Sequence, residues 1–260
     1  MKNSQSLQVY RQQTSNGAQG DLELALSLLQ RTRNPGGAGS GDEPAPLLRL
    51  YRPEPTVAFG QRDQRLSGFD DAAAACRRSG FTPLVRRAGG RAAAYHQGSL
   101  VIDHIEPDSD PIRETQARFT AFGELLQDAL GQVGVDARLG PIPGEYCLGD
   151  HSVHGISLVD PDRRIKLIGT AQRVISTGWL FSSSIIVGDG AAVRRVLSEA
   201  YAALEIPWDP LTAGSATELG LDLTVDAVEK SVLDVYRRHW ELEEIAEPPA
   251  IFSNTPALSL

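Results

Sequence analysis

Three places in this chain of 260 residues combine residue types and spacing that chemistry can use. The first is the segment VRRAGGRAAAYH, residues 85–96. Adjacent glycines permit a turn with positive φ and leave main-chain N–H groups uncovered. Arg86, Arg87 and Arg91 add positive charge around Gly89 and Gly90. Such a loop suits a thioester oxygen, a phosphate or a carboxylate, with an ordinary solvated turn as the competing reading. It is neither a P-loop, since no Gly-Lys-Ser/Thr follows, nor a dinucleotide fingerprint. The second is Cys147 in GEYCLGD, 144–150. A free cysteine is by default a small buried hydrophobe, and Cys76, in an alanine-rich helix, fits that description. Cys147 sits in a glycine-flanked loop where a thiol can point into a cleft and where a nearby cation would raise its thiolate fraction. The third is Lys166 in IKLIGTAQRV, 165–174. Period-two alternation puts Ile165, Leu167 and Gly169 on one face of a strand and Lys166, Ile168 and Thr170 on the other. An ammonium there needs acceptors, unless the stem packs while the head reaches water.

Other candidates are weaker. His151 and His154 have HxxH spacing without an evident third ligand, so no metal site is expected; their place at the border of a site stays open. Asp150 reads as a turn residue and the Trp179–Phe181 pair as core. The two cysteines lack any CxxC or Cys/His ligand spacing, which excludes a disulfide framework and a structural zinc site. A net charge of -8 disfavours general nucleic-acid binding. No apolar run approaches the roughly 20 residues of a membrane span, and the polar N-terminus lacks a secretory core. A cytoplasmic protein is expected.

These groups need a scaffold. The first twenty residues are expected to be poorly ordered. A helix from Asp21 carries the stripe Leu22, Leu26 and Leu29, and NPGGAGSGDEPAP, 34–46, is a flexible connection. Short strands follow around 47–51 and 56–59. A helix capped by Asp70 or Asp71 ends at Ser79–Gly80. Strands are expected at 82–86, 92–95 and 99–105. Pro111 is placed to start the longest helix, with Phe119, Phe122, Leu126, Leu130 and Val133 on its stripe. The runs 152–159 and 165–175, separated by DPDRR, predict an antiparallel hairpin, with a third strand at 179–187. Helices at 191–204 and 225–240 complete an α+β pattern. One domain is expected over 21–240, with 241–260 as a tail.

LRLYRPEPTVAFGQ, then VRRAGGRAAAYHQGSL, then IKLIGTAQRV occur in the order and spacing of the lipoate–protein ligase, octanoyltransferase and lipoyl amidotransferase family, which this chain resembles from about Leu22 to its last helix. The resemblance implies a mixed, largely antiparallel β-sheet flanked by helices, the biotin/lipoate ligase-like catalytic fold. It implies that the arginine–glycine–glycine loop closes over an acyl chain, through Arg87, Gly89, Gly90 and His96, with Arg91, Gly169 and Thr170 also at the substrate. Lys166 matches the family's active-site lysine, which donates to the acyl carbonyl. GEYCLGDHSV resembles the nucleophile loop of the cysteine-dependent transferases, which makes Cys147 the nucleophile.

The chain departs from the family pattern at Gln97, where many relatives have Asp, and at Arg91, where ATP-dependent ligases commonly have a third glycine. Only about twenty residues follow Trp240, too few for the accessory domain of many such ligases. The expected activity is transfer of an octanoyl or lipoyl group, without a cofactor, to a lysine of a lipoyl carrier domain. The donor would be acyl carrier protein or a lipoylated carrier domain. The acceptor would be a lipoyl domain of a dehydrogenase complex or the glycine cleavage carrier protein. The alternatives are an ATP- and magnesium-dependent ligase that forms a lipoyl-adenylate, and a non-catalytic binding homologue.

Overall fold

Leu7 and Val9 alternate with polar neighbours, and that alternation makes residues 6–12 a strand rather than a loose leader. The computed structural model describes residues 6–33 and 44–250. Most of the connection expected at 34–46, and the last ten residues of the expected tail, lie outside the described residues. In chain order the strands are β1 (Ser6–Gln12), β2 (Leu47–Tyr51), β3 (Thr56–Phe59), β4 (Thr82–Val85), β5 (Ala93–Tyr95), β6 (Ser99–Pro107), β7 (Asp136–Leu139), β8 (Val153–Ile156), β9 (Arg164–Ile175), β10 (Gly178–Ile186) and β11 (Glu241–Ile245). The helices are α1 (Gly17–Gln30), α2 (Phe69–Arg78), α3 (Thr115–Gln132), α4 (Gly190–Ala203) and α5 (Val225–Tyr236).

Eight strands form one sheet in the order β11-β1-β2-β6-β10-β9-β8-β7, and β4-β3-β5 form a smaller one. β1 runs parallel to β2 and β11, and from β2 to β7 every neighbour is antiparallel. The α+β expectation therefore holds, with a mixed and mainly antiparallel sheet. The expected bounds of 21 and 240 do not: β1 and β11 flank them and pair with each other. Polar composition hid both strands, because a half-buried strand needs only two or three apolar residues.

Alternation decides what covers each face of the large sheet. Leu48, Leu50, Trp179 and Phe181 pack with Phe122, Leu126 and Leu130 of α3 and with Val228 and Val232 of α5. Their strand neighbours Leu47 and Leu180 point the other way, against Leu24, Leu28 and Leu29 of α1. The small sheet packs with α2 and α4 through Val57, Phe59, Cys76, Val196 and Tyr201. Two expected helix starts are corrected. α2 is capped by Gly68, not by an aspartate, because a Cβ at Gly68 would lie 1.8 Å from the Ala203 carbonyl oxygen. The segment after Pro111 is a turn, and α3 begins only at Thr115. No helix among the described residues is long and apolar enough to cross a membrane.

Candidate active site

The face of the large sheet that meets α1 is only partly covered by it. The rest floors a cavity of about 460 Å³, within the size range of small-molecule sites. Tyr51, Val101, Asp103, Leu180, Ser182 and Ser184 form the floor. Leu22 and Leu26 of α1 and Ala58, Ala93 and Tyr95 of the small sheet form walls. Two loops close it, 86–90 after β4 and 146–152 before β8. Leu22 and Leu26, expected to share a core stripe with Leu29, thus face the cavity, while Leu24, Leu28 and Leu29 hold the helix down.

β9 reaches the floor by breaking strict alternation. Val153 pairs with Ile168 and His154 with Lys166, so one extra residue is accommodated at Leu167. This bulge lets both Leu167 and Ile168 join the core, and it flips the side-chain parity beyond it. Lys166 and Gly169, expected on opposite faces, therefore both line the cavity. Ile168, expected beside Lys166, turns inward.

Cys147 lies where the two loops meet. Its Sγ accepts the Arg91 N–H at 3.1 Å and lies 3.7 Å from Arg86 Nη2. The backbone there is left-handed, with φ of 46°, a conformation that costs a non-glycine residue about 1–2 kcal/mol. Tyr201 holds it: the Cys147 N–H donates to the phenol oxygen at 2.9 Å, and the phenol donates to the Ala92 carbonyl at 3.0 Å. Burial pushes the Tyr201 phenol far up, so it stays a neutral donor. Cys76, fully buried, has its thiol pushed up to about 12 by desolvation and takes no part.

Gly90 fits only as glycine. Its φ is +100°, and a Cβ would lie 2.5 Å from Arg86 Nη2 and 2.8 Å from Cys147 Sγ. Gly89 has open space and no such φ, so the expected double-glycine requirement reduces to one residue. The loop is braced from behind by Asp63. Its Oδ1 pairs with Arg91 Nη1 at 2.9 Å and its Oδ2 accepts the Gly60 N–H at 2.9 Å.

Lys166 is 1% exposed, and its Nζ donates to Glu145 Oε1 at 2.8 Å, Tyr146 O at 3.0 Å and Cys147 O at 2.9 Å. Glu145 is itself pinned by Ser152 Oγ and the Ile142 N–H. An ammonium has three hydrogens, so none is left for an acyl carbonyl. In this arrangement Lys166 ties down the loop that presents the sulfur.

Of the expected substrate contacts, Arg87, Gly89, Gly90, Gly169 and Thr170 line the cavity. Arg91 contributes its N–H to the sulfur and its guanidinium to Asp63, and its side chain is not in the lining. His96 is corrected outright. Its Nε2–H donates to the Asp189 carbonyl at 3.2 Å, its Nδ1 accepts the Gly98 N–H at 2.9 Å, and the ring lies outside the cavity lining. His151 stacks on Phe119 with centroids 5.2 Å apart, and both line the cavity. His154 is buried, with Nδ1–H on the Gly140 carbonyl. The HxxH pair thus points to two different places, and no cluster of three or more metal-ligating side chains occurs among the described residues.

The family model described as lipoyl protein ligase A/B catalytic domain matches residues 27–237. The chain belongs to this family. Among curated relatives, the octanoyl-[GcvH]:protein N-octanoyltransferase of Geobacillus kaustophilus is 29% identical over 168 residues, covering 64% of this chain and 55% of its own length. The enzyme of the same description from Oceanobacillus iheyensis is 28% identical over 217 residues, covering 78% of this chain and 74% of its own. Among solved structures, lipoate-protein ligase A bound with ATP aligns over 95% of this chain and 90% of its own, with a TM-score of 0.66 at 18% identity. The bipartite lipoate protein ligase of Thermoplasma acidophilum aligns over 95% and 88%, with a TM-score of 0.65 at 17% identity. These likenesses establish the lipoate ligase fold. Glu145, Tyr201 and Asp63 are the residues around the site that sequence reading missed. Glu145 stood two places before the cysteine, an acid in reach of the lysine. Tyr201 gave no signal at all.

Proposed function

We propose that the chain is an acyltransferase that moves an octanoyl or lipoyl group through a Cys147 thioester to a lysine of a lipoyl carrier domain. The observation that supports this most is Cys147 Sγ at the wall of an acyl-sized cavity, with an N–H and a guanidinium aimed at it. Donors at a sulfur favour the thiolate, the nucleophilic form. The name of these relatives adds a donor class, octanoyl carried on GcvH. In this reading the thiolate attacks the acyl carbonyl of the donor, and the donor's amine leaves with a proton from solvent. The ε-amine of the acceptor lysine then attacks the thioester, gives up a proton to solvent and releases the thiolate as the amide forms. The alkyl tail lies against Leu22, Leu26 and Leu180, where each buried methylene contributes about 0.8 kcal/mol. Lys166 and Glu145 position the loop, and no ATP enters.

Intact-mass spectrometry after incubation with octanoylated GcvH, or with octanoyl carrier protein, tests this reading and chooses between the donors. A gain of one octanoyl group, absent in Cys147→Ser, is expected. Transfer of free octanoate or lipoate that requires ATP and magnesium and survives Cys147→Ser would replace it with the ligase reading.

A further inference from the structure

Acyl transfer places a chain in the cavity, and one side of that cavity is not lined for plain alkane. Tyr51 at the end of β2 and Tyr95 at the end of β5 both line it, and they are 4% and 8% exposed. Neither hydroxyl has a hydrogen-bond partner among the described residues. Neither is sealed in protein, because Arg86 Nε is the one unpartnered side-chain nitrogen or oxygen there without accessible surface. The surface that the two oxygens keep therefore opens into the cavity. Burial holds both phenols well above the ordinary tyrosine range, so each keeps its proton and can donate. Against an alkyl chain such a donor loses its water and finds no acceptor in return.

The polar neighbours of the phenols are already paired. Arg49 donates from Nε to Gln12 Oε1 at 2.8 Å, from Nη1 to Asp103 Oδ2 at 2.9 Å and from Nη2 to Asp21 Oδ1 at 2.9 Å. Ser182 Oγ donates to Asp103 Oδ1 at 2.7 Å. The Arg49 guanidinium also lies 3.9 Å from the centre of the Tyr51 ring, which fixes that ring on the floor. Position puts the phenols at the far end of a bound chain. Lys166 ties Cys147 to β9, whereas Asp103 is on β6 and Tyr51 on β2, two and three strands further across the sheet. With strands about 4.8 Å apart, β6 lies about 10 Å from β9. An octanoyl-length chain, with bonds of about 1.5 Å, also spans about 10 Å. Its carbonyl meets the sulfur while its last carbons reach the phenols.

The structure assigns Tyr51 and Tyr95 as specificity-determining residues whose hydroxyls donate to an oxygen or sulfur near the far end of the transferred acyl group. This rests on the acyl-transfer reading and narrows it. The favoured substrate is a chain of octanoyl length that ends in an acceptor, a hydroxyl or a dithiolane, over the plain octanoyl group. A site that offers a donor rejects the analogue lacking the acceptor, since its own polar group is then left unpaired. Oxygen accepts well and sulfur weakly, so the two ends are told apart by strength.

The test competes octanoyl-, 8-hydroxyoctanoyl- and lipoyl-GcvH in pairs for the wild-type chain, Tyr51→Phe, Tyr95→Phe and the double variant. Intact mass reads which acyl group Cys147 carries. The wild-type chain is expected to take 8-hydroxyoctanoyl over octanoyl by about tenfold or more, and lipoyl over octanoyl by a smaller factor. Each Phe should cut these ratios, the substituted chains losing and octanoyl gaining, and the double variant should bring them to parity. A preference for only one substituted chain supports the assignment if the Phe variants abolish it, and names the acceptor as oxygen or sulfur. Octanoyl used as readily as both others by the wild-type chain overturns it, as does a preference that both substitutions leave intact. If one variant does not fold, the other decides by the same ratios. If the wild-type chain forms no acyl-enzyme from any donor, the transfer reading fails. Calorimetric Kd ratios of the three free acids in the same proteins then decide what the phenols select.

Discussion

Replacing Tyr201 with Phe removes one oxygen from a helix that lies outside the cavity lining, yet it should disable the nucleophile loop. The phenol accepts the Cys147 N–H and donates to the Ala92 carbonyl, and Tyr201 is 1% exposed. Each of the two groups left unpartnered costs about 1–3 kcal/mol, so a loss of about 2–6 kcal/mol is expected if the loop stays in place. In a chain of this size each kcal/mol lowers Tm by about 2–4 °C. The loop has an alternative. Cys147 holds a left-handed φ, and without its anchor it can relax by about 1–2 kcal/mol. The sulfur then occupies its reactive position about 5–30 times less often. Thermal melting by circular dichroism and single-turnover octanoylation by mass spectrometry separate the two responses. A small Tm change must come with slow octanoylation, and a large one with faster chemistry. A variant with wild-type Tm and octanoylation within twofold of wild type would refute the reasoning.

Further outcomes are expected. Lys166→Met leaves Glu145 charged and buried without its partner and should cost about 3–5 kcal/mol. Adding Glu145→Gln should recover most of that in urea unfolding, while octanoylation stays slow because the carbonyls of Tyr146 and Cys147 lack their donor. Gly90→Ala should lower Tm clearly more than Gly89→Ala, since only Gly90 combines a positive φ with a close approach to Sγ; equal melting curves would contradict this. Ala25→Phe, on the α1 wall of the cavity, should shorten the preferred acyl chain. Loss of two buried methylenes is worth about 1.6 kcal/mol, or roughly 15-fold in octanoyl over hexanoyl preference, read by competing the two donors. His96→Ala should lower Tm through the lost Asp189 and Gly98 bonds without changing KM for the donor; a raised KM would put His96 back at the substrate.

The sequence disclosed the strongly periodic elements and the glycine–arginine and cysteine loops. It failed where one residue alters a regular count or where partners are far apart along the chain. The β9 bulge shows the first failure. Alternation correctly placed Lys166 and Leu167 on opposite faces, but the extra residue exchanged Ile168 and Gly169. His96 shows another: a histidine at the end of a motif looked like a ligand-binding group, and folding spends both ring nitrogens on backbone. Tyr201 lies 54 residues from Cys147, and nothing local in a helix distinguishes an aromatic that anchors a loop from one that fills a core. β1 and β11 escaped notice because only two or three apolar residues mark each of them.

The pairing of these two strands fixes an order of events when the chain is made. Ser6 and Glu241 are register partners, so β1 is finished by a strand that leaves the ribosome 235 residues after it. Until then the outer hydrogen-bonding edge of β1 is open, and an open edge can recruit a strand from another molecule. The closing segment therefore acts as a seal. A product interrupted shortly before Glu241 would retain every residue of the reaction centre and still offer a sticky flank to its neighbours.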